Sequence, residues 1–216
     1  MNKDILRLFE TMPYFTIEGF RQAAGIEKPY HGRVLMHRWL KAGHILQLRR
    51  GMYMTRSFYL QHRHEIPFSA AVSSILLPQS YVSLEFILQR YNILTEATYP
   101  VTCTTPRNTR RISNPLGTFW YRHIQPDLYH GYTISEYFGI RFAEASVAKA
   151  LFDYLHLRPI PPAFRSPRIN LAEELRLNLD VFSAAGRAEF AGYVEESKKR
   201  KMIQIHENFK RTVWRP

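Results

Sequence analysis

The apolar residues of the first 42 positions recur at the spacing of three amphipathic helices. A first helix is predicted near residues 3–12. Thr16 is a typical N-cap for a short second helix over 17–24. A third helix is predicted over about 30–42, and Gly43 marks its end. The apolar stripe of this third helix consists of Leu35, Met36, Trp39 and Leu40.

Two short apolar segments follow and predict a β-hairpin. Residues 45–48 and 52–54 are the strands, and Gly51 supplies a positive φ for the turn between them. The resulting order is that of a winged helix-turn-helix, with a two-stranded wing after the third helix. Residues 1–57 are therefore predicted to form such a domain.

Residues 66–216 are predicted to form a second domain, after a connector over about 55–69. Ser146 is a typical N-cap for one of its helices. The predicted helices are 70–77, 84–91, 147–157, 171–182 and 188–209, and the predicted strands are 100–105, 117–124, 132–136 and 139–142. The predicted fold class is α+β: an N-terminal winged helix-turn-helix followed by a mixed, mostly helical C-terminal domain with a small sheet.

The charge distribution along the chain indicates a function for the predicted N-terminal domain. The chain has a net charge of +12, which favours nucleic acid, acidic lipid or an acidic protein as partner. Residues 28–64 contain eight Lys/Arg, five His and no acidic residue. A basic stretch on a small structured unit is typical of a phosphate-binding surface, so double-stranded DNA is the predicted partner. The alternative is an ordinary solvated surface.

The third helix can enter the major groove if one face packs and the other stays free. Residues near the N-terminus of this helix are predicted to contact base edges, and residues further along it are predicted to contact phosphates. The wing tip is predicted to contact the DNA backbone or the minor groove. The predicted DNA-binding residues are Thr16, Lys28, His31, Arg33, Val34, His37, Arg38, Lys41, Arg49 and Arg50.

A second acid-free stretch covers residues 97–126. It is interpreted as a basic loop that leads into a strand, and it predicts a second phosphate-facing or partner-facing patch. A solvated loop is the alternative. The patch consists of Arg107, Arg110, Arg111 and Arg122.

Other chemistry is predicted to be structural. Cys103 lies in an apolar strand and is expected to be buried. Lys149 and Asp153 stand four residues apart on one helix, which is typical of a surface or half-buried ion pair; a metal-dependent nuclease is the alternative. The sequence predicts no metal site, no cofactor, no enzyme activity and no membrane span, and a cytoplasmic location.

The order of several segments resembles the AbiEi-type antitoxins of type IV, abortive-infection toxin–antitoxin systems. The resemblance covers roughly residues 5–160. After the predicted winged helix, it is carried by residues 81–85, 104–107, 110–111, 115–119, 121–124 and 145–153. It implies a repressor that binds promoter repeats of its own operon and opposes a nucleotidyltransferase-like toxin without a stable complex, in phage defence.

Two other functions fit the same pattern. The chain could be an RNA-binding adaptor without promoter preference, or a protein-interaction module that uses a winged helix. The operator, the oligomeric state and the toxin do not follow from the sequence.

Overall fold

A computed structural model describes residues 2–95, 100–161 and 169–215, which form helices and two β-sheets. The predicted α+β class is confirmed. In the described residues, no helix is long and apolar enough to cross a membrane.

The N-terminal 55 residues form helices around a three-stranded sheet. Their elements are α1 (Asn2–Arg7), β1 (Phe15–Thr16), α2 (Ile17–Ala23), α3 (Pro29–Lys41), β2 (Ile45–Arg49) and β3 (Met52–Thr55). The sheet is antiparallel, with strand order β1-β3-β2. Thr16 caps α2, because its hydroxyl oxygen accepts a hydrogen bond of 3.0 Å from the Gly19 backbone amide. The first helix is shorter than the predicted 3–12, since tighter i→i+3 bonds replace it from Leu8 onward.

The remainder of the chain builds a mixed sheet with helices on both faces. Its elements are α4 (Arg56–His62), α5 (Phe68–Leu76), β4 (Tyr81–Val82), α6 (Leu84–Arg90), β5 (Val101–Thr105), β6 (Arg110–Asn114), β7 (Gly117–His123), β8 (Tyr132–Tyr137), β9 (Ile140–Ala145), α7 (Val147–Leu157), α8 (Leu171–Glu174), α9 (Ala184–Ser197) and α10 (Arg200–Thr212). The strand order is β6-β7-β5-β4-β9-β8. This sheet is larger than the four strands predicted, because β4 and β6 were missed.

Side-chain alternation assigns the faces of this sheet. Tyr121 donates a hydrogen bond of 2.8 Å to the carbonyl oxygen of Ser73, so its side faces α5. Thr102 and Thr104 point the other way, toward the start of α6 and toward α7. Cys103 is fully buried on the α5 side, as predicted, and burial raises the pKa of its thiol to about 12.

Three predicted segments are wrong. The connector over 55–69 contains α4, which Thr55 caps and whose Phe58 is fully buried. The helix predicted over 171–182 ends at Glu174, because Leu177 and Leu179 are both buried with an exposed residue between them, which is the period of an extended chain. The helix predicted over 188–209 is two helices, broken at Lys198 with a left-handed φ of 51°.

Strands β2 and β3 are shared by two hydrophobic clusters. Ile45 and Tyr53 belong to the small cluster of the N-terminal helices. Leu48 and Met54 belong to the large cluster around the six-stranded sheet. The hairpin is thus buried on both faces, and it joins the N-terminal unit to the rest of the molecule.

Candidate nucleic-acid interface

Helix α3 has one packed face and one free face. Gly32, Met36 and Trp39 are buried against the N-terminal core. The opposite side carries His31, Arg33, His37, Arg38 and Lys41, all exposed, with Val34 half-buried. This arrangement is the one that the sequence predicted for these six residues. Lys28 occupies the N-cap position of α3, where it is exposed and makes no side-chain capping bond.

The free face holds cations without protein partners. The side chains of Arg33, Arg38 and Lys41 make no hydrogen bond or ion pair with any residue that the structure describes. Arg50, in the turn between β2 and β3, makes none either within the described ranges. Such cations can pair with phosphate, because none of them forms an ion pair with a carboxylate among the described residues.

Arg33 meets the turn between β2 and β3 across one groove. The groove has a volume of about 960 Å³. It lies between the start of α2, helix α3 and the turn. Its lining includes Thr16, Glu18, Arg33, Arg49, Arg50 and Tyr53. The structure therefore brings together three predicted cations from two separate elements, with one carboxylate beside them.

The two arginines that were predicted at the wing tip differ in their attachment, because Arg49 is held by other parts of the chain. Its Nη1 donates a hydrogen bond of 3.2 Å to the carbonyl oxygen of Leu76. Its Nε also lies 2.7 Å from the sulfur of Met52. A hairpin that is buried on both faces keeps this guanidinium against the protein body. Arg49 and Arg50 are both exposed, but of the two only the Arg50 side chain has no hydrogen bond or ion pair to a described residue.

The arginines of α3 point to different neighbours. Arg33 lines the groove beside the turn. Arg38 instead borders a groove of about 470 Å³ on the α1 side, which it shares with Arg7 and Glu10. Each of the two grooves beside the basic face of α3 therefore contains further arginine together with one carboxylate, Glu18 in the first groove and Glu10 in the second.

A close approach between α2 and α3 fixes the position of this helix. A Cβ added at Gly32 would lie 2.7 Å from Cγ of Arg21, which is too close for any side chain. Nη2 of Arg21 donates a hydrogen bond of 2.5 Å to the carbonyl oxygen of Glu27, in the turn before α3. Glycine at position 32 thus lets α3 pack directly on α2.

Two residues of this surface were missed by the sequence interpretation. Tyr30, in the first turn of α3, is 71% exposed, and its ring lies 6.0 Å from the ring of His31. Glu18 lies among the arginines of the groove. The pKa of Tyr53 is raised mainly because Tyr53 is partly buried, and secondly because the negative charge of Glu18 is nearby. The sequence contained a signal for Tyr30, which is an aromatic residue outside the apolar stripe of α3. It contained none for Glu18, because the charge argument considered only residues 28–64.

The basic loop that was predicted to lead into a strand over residues 117–124 contains a strand of its own. Residues 110–114 form strand β6, which pairs with β7 so that Arg110 stands opposite Tyr121 and Arg111 opposite Trp120. Since opposite residues share a face, Arg110 lies on the α5 side of the sheet and Arg111 on the other side.

The remaining members of this patch are partly occupied. Arg107 donates a hydrogen bond of 2.7 Å from Nε to Oε1 of Gln79. Arg122 is half-buried and donates one of 2.6 Å to the carbonyl oxygen of Leu157 at the end of α7. The four arginines of the predicted patch therefore do not form one continuous surface of unpaired cations.

The Lys149–Asp153 pair is completely buried, which corrects the expected surface or half-buried pair. Nζ of Lys149 lies 2.8 Å from Oδ1 of Asp153, and both side chains have no exposed area. Oδ2 of Asp153 accepts hydrogen bonds from the hydroxyls of Tyr81, Ser83 and Thr104.

The Lys149 ammonium group has further contacts besides Asp153. Nζ of Lys149 also donates a bond of 2.8 Å to the carbonyl oxygen of Leu128 and lies near the rings of Phe152 and Tyr193. Burial raises the pKa of the Asp153 carboxyl, and the Lys149 ammonium acts in the opposite direction. The pair joins α7 to strands β4 and β5 and has no open face toward a polymeric substrate. Among the described residues, no group of three or more His, Cys, Asp or Glu is placed to hold a metal ion.

Comparison with known proteins adds no further assignment. No model of a known protein family matches the chain, and no curated protein sequence matches it.

Proposed function

We propose that the protein is a sequence-specific DNA-binding transcriptional repressor whose N-terminal third is a winged helix-turn-helix. The element order α1-β1-α2-α3-β2-β3 supports this proposal, because a helix-turn-helix is followed there by a two-stranded wing. The contact between α2 and α3 at Gly32 agrees with a closely packed helix-turn-helix pair.

The observation that carries the proposal is the set of unpaired cations on α3 and at the adjacent turn. A major groove about 12 Å wide accepts an α-helix. With α3 in that groove, Arg33 can pair with guanine, Val34 can contact a thymine methyl group, and His31 can contact a base or a nearby phosphate. His37, Arg38 and Lys41 lie further along the same face, where they can contact phosphates.

The turn between β2 and β3 contributes a second group of contacts. Arg50 is the free cation there and is proposed to contact the DNA backbone or minor groove. Arg49 holds the turn against Leu76 and is proposed to position Arg50. Thr16 can still donate its hydroxyl hydrogen to a phosphate while it caps α2. Lys28 adds charge at the start of α3.

The regulatory part of the proposal is that the protein represses its own operon and is the antitoxin of a nucleotidyltransferase-like toxin. It is supported by the resemblance in segment order to AbiEi-type antitoxins. In a cell that expresses such a toxin from the neighbouring gene, the wild-type chain should restore growth. Arg33→Ala with Arg50→Ala should release the promoter, and continued protection would then assign the antitoxin activity to the C-terminal part.

A gel shift on the DNA upstream of this gene, repeated over a salt series, tests the DNA-binding proposal. Neutralisation of about five phosphates gives a slope of roughly −4 to −5 in log K against log salt. Arg33→Ala should weaken specific binding by about 10- to 100-fold, which is the discrimination of one bidentate base contact.

Arg63→Ala is the matched control. Arg63 is exposed and lies in the same acid-free stretch, but directly after α4 instead of on α3. Its loss should change affinity by less than about threefold. Equal effects of the two variants, or binding that does not depend on salt, would contradict the proposal. Displacement by transfer RNA as easily as by promoter DNA would favour the RNA-binding alternative.

A further inference from the structure

The exposed face of strands β6 and β7 carries an aromatic ring that the fold does not use. Trp120 is 39% exposed on β7, whereas the other two tryptophans of the chain, Trp39 and Trp214, are 5% and 6% exposed. An indole has a large apolar face, so a tryptophan that is left on an open sheet face is available for a contact outside the chain.

Two arginines flank this indole on the same face. Arg111 stands directly opposite Trp120 in the β6–β7 pairing, and its side chain makes no hydrogen bond or ion pair with any described residue. Cζ of Arg122 lies 5.2 Å from the centre of the Trp120 ring. Arg122 is held there by its bond to the carbonyl oxygen of Leu157. The indole thus has one fixed cationic neighbour and one free one.

A groove of about 590 Å³ opens beside the ring. It is lined by Pro100, Arg111, Gly117, Thr118 and Trp120. Gly117 and Thr118 precede Trp120 on β7, whereas Arg122 follows it, so the groove and Arg122 lie on opposite sides of the indole along the strand. An aromatic face, a guanidinium and a hydroxyl therefore border one open space. Residues 100–126 contain no carboxylate that would repel an anion.

We propose that this face binds a single-stranded nucleic acid, with an unpaired base stacked on Trp120 and a backbone phosphate paired with Arg111. Exposed aromatic residues on a sheet, interleaved with basic residues, are the general means by which proteins hold unpaired bases. Arg122 orients the indole and adds positive charge behind it.

Base stacking favours a single strand over a duplex at this position. In a duplex both faces of each base are covered by neighbouring bases, so the indole could reach only the sugar-phosphate edge. In a single strand the base face is free and can cover the exposed indole. A phosphate contact by Arg111 alone would not distinguish the two, but stacking on Trp120 does.

This site is separate from the proposed duplex-binding surface on α3. It uses other elements and other residues, so either proposal can fail while the other holds. Variants of Arg33 and Arg50 should alter duplex binding alone, and variants of Trp120 should alter single-strand binding alone.

Tryptophan fluorescence of the full chain, titrated with a 12-nucleotide oligothymidine, tests the inference. Since the two other tryptophans are buried, quenching reports mainly on Trp120. Trp120→Ala should weaken binding, measured by anisotropy of a labelled oligonucleotide, by about 5- to 150-fold, which corresponds to the stacking of one base. Trp120→Phe should retain most of the affinity, and Arg111→Ala should reduce the salt dependence by about one phosphate contact.

The matched control is Arg141→Ala, which removes an exposed arginine from β9 of the same sheet. It should leave the affinity almost unchanged. Thermal unfolding of each variant confirms that the chain is folded. Unchanged oligothymidine affinity in folded Trp120→Ala, or an equal loss in Trp120→Ala and Arg141→Ala, would overturn the proposal. So would fluorescence that does not respond to single strands, and capture of a protein segment at this face in place of the oligonucleotide.

Discussion

Helix α3 and helix α7 both carry cations, but their surroundings are opposite. On α3, Arg33, Arg38 and Lys41 are exposed and have no partner among the described residues. On α7, Lys149 has no exposed area and contacts a carboxylate and a carbonyl oxygen. The cations of α3 can be removed without leaving a buried polar group unpaired, whereas removal of Lys149 would leave the buried Asp153 carboxylate without its cation.

This difference separates binding from stability. Exposed cations contribute little to folding, because water solvates them in both the folded and the unfolded chain. A buried ion pair is costly to break, because one charge then remains in the interior without a partner. We expect changes on α3 to alter affinity for DNA, and changes at the Lys149–Asp153 pair to alter the free energy of unfolding.

The largest expected effect is that of Asp153→Asn. It removes the carboxylate while Lys149 stays buried, and the free energy of unfolding should fall by roughly 3–5 kcal/mol. For a chain of this length, that loss corresponds to a decrease in melting temperature of about 10 °C. Urea unfolding, followed by circular dichroism, measures it.

The double change Lys149→Met with Asp153→Leu is the companion experiment. It removes both charges and should recover a large part of the lost stability. Folded Asp153→Asn protein should bind duplex DNA as the wild type does. Loss of binding without loss of stability would contradict the separation of the two regions.

The next effect is that of Arg33→Ala combined with Arg50→Ala. Duplex affinity should fall by about 2–4 kcal/mol if one base contact and one phosphate contact are lost, and the salt slope should become shallower by about one. The melting temperature should remain within about 2 °C of the wild type. The control with the same charge change is Arg63→Ala with Arg141→Ala, and a comparable loss of affinity there would show that only net charge matters.

A smaller change in the free energy of unfolding is expected when the pH is lowered, because of His156 at the C-terminal end of α7. Burial, followed by the charges of Lys201, Lys149 and Lys199, lowers the pKa of His156 to about 4. In the unfolded chain its pKa is about 6.5, so the unfolded state binds the proton first as pH falls. Stability should therefore decrease between about pH 6.5 and pH 4, by at most about 3 kcal/mol and by less after solvent screening.

His156→Gln isolates this contribution. The variant should lose less stability than the wild type over the same pH range, as measured by urea unfolding at each pH. Parallel curves for the two proteins would assign the acid sensitivity to other groups, among them His206, whose pKa burial also lowers.

The smallest expected effect is that of Glu18→Gln. Glu18 lies in the groove beside Arg33 and Arg50, where its carboxylate repels phosphate. Its removal should strengthen duplex binding by less than about 1 kcal/mol. Because Glu18 lies in the first turn of α2, its loss should also reduce stability by about 0.3–1 kcal/mol. Weaker binding would indicate that Glu18 supports the interface directly.

Local signals account for most of what the sequence predicted correctly. The stripe of Leu35, Met36 and Trp39, with Gly43 after it, predicts α3 to within one residue at each end. Ser146 marks the start of α7, where its hydroxyl accepts a bond of 3.0 Å from the Lys149 amide. These features depend on residues within one or two helical turns, which a single sequence contains.

The misses depend on partners distant in the chain. Lys149 and Asp153 have the spacing of a surface pair, and their burial follows only from Tyr81, Ser83 and Thr104 on other elements. The split of the second basic patch follows from the register of β6 on β7, which a loop prediction does not contain. The attachment of Arg49 to Leu76 requires the packing of the hairpin on α5.

The hairpin of β2 and β3 also determines what happens if the chain is cut. A fragment that ends at residue 57 would keep the surface of α3 but would remove the cover from Leu48 and Met54, which are 2% and 0% exposed in the whole protein. These side chains would form a water-exposed apolar strip on a short sheet. We therefore expect the isolated N-terminal fragment to self-associate, so the surface proposed to bind DNA would not be a portable module.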